Sequence, residues 1–387
     1  MEGTMWKIYL AAALALVANP ALGQVKLGAT LSTTGPAASL GMPERNTLQL
    51  LPKSIGGLSI EWIILDDASD TTAARKNAEK LTSEDRVDAI IGSSTTPNSL
   101  AMIEVAGGAQ TPMISLAASA RIVDPVDAQR RWVFKTPYHD SIIAETVSRH
   151  MKATGVKTLA YLGFNDAYGE GWGAELQKAA ERNGISLTTW EKYNRTDTSV
   201  TAQVLKVMST NPDAVLIGAS GTPAVLPQVT LRERGYKGKI YQTSGIINND
   251  FLRVGGKNVE GTFLPGGPVI VVDQLPDDHP NKAVGLEYKK LYEGAHGPNS
   301  LATFGANAYD AWLLLKNALP KAANKAKPGT PEFRQALRDE LERTSNLPAT
   351  HGVINMTAQD HLGFALDAPA MITIRNGSWA FVKANGS

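Results

Sequence analysis

The stretch "IIGSSTTPNSLAM", residues 90–102, decides the fold. A short apolar run ends at Gly92. Four hydroxyl residues follow (Ser93, Ser94, Thr95, Thr96), then Pro97 and a helix-like segment. A buried strand that runs directly into hydroxyls and a helix start is the strand-to-helix half of a βαβ unit. In open parallel sheets, ligands bind beyond the carboxyl ends of the strands. Pro97 suits the first turn of a helix and Thr96 its N-cap. Unpaired N–H groups at a helix start attract an anion, and hydroxyls add donors. The plainer reading is that Thr96 caps its own helix and the rest is turn.

The same rhythm extends in both directions. Strands are expected at Val25–Leu31, Ile60–Leu65, Val87–Gly92, Met113–Leu116, Thr158–Gly163, Ile185–Tyr193, Ala214–Gly218 and Lys239–Gln242. Helices are expected at Thr71–Leu81, Thr96–Ala106, Ile142–Ala153, Gly169–Asn183, Val200–Ser209 and Pro223–Arg234. Alternation of this kind predicts an α/β fold with parallel sheets covered by helices. It falls into two series, about 25–135 and about 140–245. The Pro/Gly/Asp-rich stretch 265–281 reads as a connector. Helices at Ala283–Tyr292, Ala306–Leu319 and Pro331–Arg343 form a third block, so the lobes are expected to be discontinuous in sequence.

The other strand ends resemble the first. "TPMISLAASA" (111–120) finishes on Ala117, Ala118 and Ser119. "FNDAYGEGW" (164–172) places Tyr168 at a helix start. "GASGTPAVLPQ" (218–228) contributes Ser220, and "QTSGIINNDFL" (242–252) contributes Ser244 and Gly245. Small polar ends on neighbouring strands leave room for a ligand to approach the backbone. For Tyr168, packing on its own loop is an equally good reading.

Bulk properties narrow the class. The 387 residues suggest two domains, and 43% hydrophobic with 19% charged residues is ordinary for a globular protein. The formal net charge of +1 implies neither a nucleic acid nor an anionic membrane as partner. Cysteine is absent, which removes thiol chemistry, disulfides and a lipidated cysteine. "MWKIYLAAALALVANPALGQ" (5–24) has a lysine, a short apolar run and a small-x-small site, the pattern of a secretory signal peptide over 1–23. Met5 is an alternative start. The run is too short to span a bilayer, and no later segment is apolar over eighteen residues, so no direct membrane insertion is expected.

An enzyme is not indicated. There is no GxxxxGKS/T, HExxH, GxSxG or GxGxxG in the required setting. Histidines 139, 150, 279, 296, 351 and 361 are scattered without metal-ligand spacing, so no metal or cofactor is expected. Asp66 and Asp67 at a strand end are expected to bond backbone or neighbouring hydroxyls.

The segments "LGATLSTTGPAASLG", "ILDDASDTTAARKNAEKLTSEDRVDAIIGSSTT", "TPMISLAAS", "NDAYGEGW", "NVEGTF" and "INMTAQDHLG" resemble, in order and spacing, the type I periplasmic solute-binding proteins of the branched-chain amino-acid-binding family. The resemblance spans the whole mature chain. It implies two Rossmann-like lobes joined by three crossovers, with lobe 1 over 24–138 plus 266–346 and lobe 2 over 139–265 plus 347–387. It further implies a ligand in the cleft, closure on binding, and delivery to ABC transporter permease subunits from the periplasm. The ligand carboxylate would be held by Ser94, Thr95, Thr96, Ala117 and Ser119, with Tyr168 closing from the second lobe. Phe304 and Asn307 are further candidates for the cleft.

One departure matters. Amino-acid binders of the family place an acid in the loop matching "QTSGIIN" to pair with the α-ammonium. Here that place falls on Ser244 and Gly245, and the next acid is Asp250. The loop where many members have a tyrosine is "GASGTPA", and a usual aromatic position near the start is Leu40. This predicts an amine-free carboxylate, an aromatic acid of benzoate or phenylpropenoate type. A branched-chain or related amino acid is the alternative, and a ligand-sensing subunit that signals to a regulator is another role for the same fold.

Overall fold

The computed structural model describes residues 23–382, so the expected signal peptide lies, apart from Gly23, outside the described residues. The first half of the chain builds a six-stranded sheet: β1 (Gln24–Leu31), β2 (Ser54–Ile55), β3 (Leu58–Asp66), β4 (Ala89–Gly92), β5 (Met113–Ser115) and β6 (Val133–Lys135). Its order is β2-β3-β1-β4-β5-β6, parallel apart from the short β2–β3 pair. The central strands are apolar on both faces, as a sheet covered by helices requires. The helices of this half are α1 (Ala38–Leu50), α2 (Thr71–Ser83) and α3 (Thr96–Gly108).

The second sheet contains β7 (Thr158–Phe164), β8 (Ser186–Tyr193), β9 (Ala214–Gly218), β10 (Lys239–Gln242) and β11 (Phe263–Gly266). After a small hairpin, β12 (Leu347–Pro348) with β13 (Val353–Ile354), it is completed by β14 (Ala370–Arg375) and β15 (Ser378–Phe381). Its order is β15-β14-β11-β10-β9-β7-β8, with β14 and β15 antiparallel. Both sheets are therefore mixed, where the alternation alone predicted parallel ones. Helices α4 (Asp140–Ala153), α5 (Ala167–Arg182), α6 (Thr201–Ser209), α7 (Val225–Glu233) and α8 (Asn249–Gly255) belong to this half. Helices α9 (Lys282–His296), α10 (Thr303–Ala323) and α11 (Pro331–Glu342) follow, and α10 packs on α1 and α11.

The chain passes between the halves three times: from β6 to α4, after β11, and between α11 and β14. Pro137 and Tyr138 lie on the first passage, Gly267 on the second and His351 on the third. The Tyr138 hydroxyl donates to the main-chain oxygen of His351, tying the first passage to the third.

Several elements depart from the sequence expectations. Helix α1 was not expected; it carries Pro43 inside and Gly41 pressed against Ser32. Strand β6 has three residues, and β11 contains Pro265 and Gly266 within the stretch read as a connector. Within the same stretch, Pro268–Gln274 form a 3-10 segment, and the residues after it are turns and loop.

Candidate functional site

The loop after β4 sorts its four hydroxyls into different tasks. Gly92 turns the chain at φ +118°, and a Cβ there would fall 2.0 Å from the Thr30 oxygen. Only glycine fits such an approach. Ser93 donates to Asp67 Oδ2 at 2.6 Å, and Ser32 donates to Asp67 Oδ1 at 2.7 Å. Ser94 donates to Glu44 Oε2 and accepts from the Ser32 N–H at 2.9 Å. Asp66 accepts from Thr33 N, Thr34 N and the Thr34 hydroxyl. The two aspartates and three serines thus brace the loops at the strand ends.

Thr95, not Thr96, is the N-cap of α3: its side chain accepts from Asn98 N, and Pro97 follows inside the first turn. The cap is one residue earlier than expected because Thr96 already has a helical position. This frees Thr96, whose hydroxyl is buried and has no partner in the protein.

The next strand end is held from below. Lys135, fully buried at the end of β6, donates to the main-chain oxygens of Ala118 and, at 3.2 Å, Tyr138. Burial pulls the ammonium down to about 7, with Asp140 opposing the shift. Ser115 Oγ takes the Ala117 N–H at 3.2 Å. The Ser119 hydroxyl is buried and, like that of Thr96, without a partner.

The second half supplies the facing wall. Asp166 caps α5 through Tyr168 N and Gly169 N, which fixes Tyr168 in the first turn. The Tyr168 hydroxyl donates to Thr243 Oγ1 at 2.9 Å, and burial raises its pKa well above the ordinary tyrosine value. Thr243 in turn donates to Ala219 O and accepts from Gly245 N.

Arg195, just past β8, completes this wall. Its Nε lies 2.7 Å from Asp166 Oδ2, its Nη1 donates to Ser220 Oγ at 3.2 Å, and its guanidinium stacks 4.1 Å above the Phe164 ring. Its side chain is only 16% exposed. Arg195 is not among the candidates the strand-end motifs offer. The available signal was its place immediately beyond a strand's carboxyl end.

These walls line a cleft with about 540 Å³ of space between them, the open solvent at its mouth included. Ser94, Thr95, Thr96, Ala117, Tyr168, Ser220, Ser244 and Gly245 all line it; Ser119 sits one residue beyond the lining Ala118. Leu40, Leu116 and Phe304 give it apolar sides. Pro137, Tyr138, Gly267 and His351 bring all three crossovers to it, together with Thr303 and Asn307 of α10. The lips touch: Thr222 N donates to Ser39 Oγ at 3.4 Å, and a Cβ on Gly221 would meet Ser39 and Leu40 within 3 Å.

No acidic side chain lines this cavity among the described residues. Asp250 pairs with Arg253 at 2.8 Å, with its side chain 49% exposed, and lies outside the lining. No cluster of potential metal ligands occurs among the described residues, and no described helix is long and apolar enough to cross a membrane.

Two α/β halves, three passages and a cleft between strand ends define the type I solute-binding class. The chain belongs to the periplasmic binding protein family, which matches residues 24–368. It is similar to an extracellular ligand-binding receptor from Rhodopseudomonas palustris HaA2, at 45% identity and a TM-score of 0.90, covering 92% of this chain and 99% of that one. It is also similar to the leucine-, isoleucine-, valine-, threonine- and alanine-binding protein of Pseudomonas aeruginosa, 23% identical over 337 residues, 83% of this chain and 86% of that protein. A match to Glutamate receptor 2.4 of Arabidopsis thaliana is 26% identical over 265 residues, 66% of this chain but 28% of that receptor's length. The protein is thus a periplasmic solute-binding component of the ABC-transporter type, which works with permease subunits and binds its small ligand without catalysis.

Proposed function

We propose that the protein captures a small carboxylate without an ammonium group, an aromatic or other apolar acid, and hands it to its permease. The observation that carries this reading is the lining of the cavity: an unpaired hydroxyl on Thr96, one guanidinium, Arg195, whose Nε is paired with Asp166 outside the lining, and no acidic side chain. A carboxylate gains charge-assisted hydrogen bonds in such a place. A buried ammonium without a countercharge loses several kcal/mol. Leu40, Leu116 and Phe304 offer apolar contact, and Ser220, Ser244 and Gly245 bring little side-chain bulk to the cavity.

A second reading is a branched-chain or related amino acid. The comparisons favour it, because the curated bacterial relative is named for such ligands. Its ammonium would have to be held by neutral acceptors here.

A thermal-shift screen separates the two. One panel holds branched-chain, aromatic and small polar amino acids; the other holds benzoates, cinnamates and keto acids. A ligand at a hundredfold excess over Kd adds roughly 2.7 kcal/mol. Shifts confined to amine-free acids are expected. Shifts with leucine or valine and none with the acids would overturn the first reading in favour of the second.

A further inference from the structure

The first passage between the halves is short and carries a charge at each end. Lys135 is the last residue of β6 in the first half, and Asp140 is the first residue of α4 in the second. Both side chains are buried, Lys135 completely and Asp140 at 2% exposed. Their hydrogen bonds are unequal. The Lys135 ammonium has three hydrogens and three acceptors: the main-chain oxygens of Ala118 and Tyr138 and, at 3.3 Å, Nδ1 of His139. An imidazole that accepts at Nδ1 is neutral, and its Nε2–H points to Asp124 Oδ2 at 3.4 Å. Burial, with Lys135 adding to it, pulls the His139 pKa down to about 2. The Asp140 carboxyl has no hydrogen bond among the described residues, and its Oδ1 is buried without a partner.

Asp140 also sits in the seam between the halves. A Cβ on Gly171 of α5 would stand 3.5 Å from Asp140 Oδ2 and 3.8 Å from Ser119 Oγ, the unpartnered hydroxyl at the strand end of the first half. The other ionisable groups around it supply no donor. Glu175 of α5 repels it, the Tyr161 hydroxyl donates to Gly169 O, and that of Tyr168 donates to Thr243. Asp124 and Asp360 share with Asp140 the task of countering Lys135, and both lie in contact with solvent. A carboxyl taken out of water with no hydrogen bond favours its neutral form. Burial lifts Asp140 to about 7, against the pull of Lys135 and with some repulsion from Glu175. At the first turn of α4 the helix dipole favours the ionised form once water reaches the group.

We propose that Asp140 is a proton-linked positioning residue for closure: its carboxyl enters the seam as the neutral acid, so that capture of a ligand takes up a proton from solvent. Parting the halves hydrates the carboxyl and releases that proton. The inference goes beyond the ligand reading and holds for either ligand class. The sign of the pH dependence follows. The shut cleft holds the proton more tightly than the open one, so affinity weakens as pH rises from the ordinary carboxylate value to about 7 and levels off above it.

Titration calorimetry with benzoate or L-leucine, in buffers of equal pH and different ionisation enthalpy, counts the protons exchanged. Both probes keep their own charge between about pH 5.5 and 8, where linkage applies to the protein alone. An uptake near one proton per ligand is expected at about pH 6, falling toward zero above about pH 8, with Kd weakening up to about tenfold per pH unit in between. In Asp140→Asn, which has nearly the same shape and cannot titrate, the uptake vanishes and Kd becomes flat with pH, while a cooperative melt confirms the fold. Net proton release in the parent near neutral pH would place the lost charge on Lys135 and overturn the assignment. No exchange in the parent, or an uptake that survives in Asp140→Asn, overturns it as well.

Discussion

On the first-sheet side of the cleft, Thr96 and Ser119 keep buried hydroxyls with no partner in the protein. On the second-sheet side, Tyr168, Thr243, Arg195, Ser220 and Asp166 are already bonded to one another. The contrast divides the labour of binding. Buried groups left unpaired lose stability until a ligand completes them, so the first wall is where a ligand gains most. The second wall is satisfied without one. It is a preorganised cover, and little of its order has to be bought at the moment of closure.

The largest effect should follow from Thr96→Val combined with Ser119→Ala. Thr96 loses a hydrogen bond to a charged group, about 1.5–3 kcal/mol or roughly ten- to a hundredfold in Kd; Ser119, one residue beyond the lining, adds to this only where the ligand reaches it. The same variant should melt no lower than the parent without ligand, because it removes two unsatisfied groups. Titration calorimetry and ligand-free urea melts read the two expectations separately. A tight-binding variant would mean that the first wall is not the carboxylate site.

Tyr168→Phe tests the other wall and should reverse the pattern. It removes the bond to Thr243, which keeps Ala219 O and Gly245 N as partners. Ligand-free stability should fall by about 1 kcal/mol, while Kd weakens less than about tenfold. A loss of binding as large as that of the first-wall variant would erase the distinction between the walls.

The two walls also differed in how far they could be read from the sequence. The loops after β4 and β5 announce themselves, because hydroxyl and alanine runs at the ends of apolar strands have few other uses. Their internal assignment was less visible. Nothing local shows that Ser94 turns to Glu44, an acid placed fifty residues earlier on a helix the periodicity did not reveal. That helix carries Pro43 and Gly41, which break the usual pattern. Arg195 lies in "YNRTDTS", a polar run that reads as a solvated loop. Only the tertiary fold brings it over Phe164. His351 reaches the cavity because three crossovers converge there, a property of the topology and not of any single segment. Strand β11 was hidden by Pro265 and Gly266; its edge is covered by β14 from the far end of the chain.

The smallest expected effect concerns the backing of the first wall. Glu44 is fully buried behind Ser94; burial raises its pKa well above the ordinary 4.5, the Ser94 hydroxyl opposes the shift, and Asp67 adds to it. The folded protein therefore holds a proton on Glu44 that the unfolded chain releases just above that value. Where the folded state binds the extra proton, stability falls as pH rises. Its contribution is complete below the unfolded pKa and is lost on the way up to the folded one. Glu44→Gln cannot titrate, and its amide oxygen still accepts from Ser94. Across pH about 4 to 8, the stability of the parent relative to Glu44→Gln should thus decline steadily. Urea melts of both proteins at several pH values measure the gap. A gap that is flat, or that widens in the parent's favour as pH rises, would show that Glu44 is ionised in the folded protein, and that the first wall is braced by a charge instead of by a neutral acid.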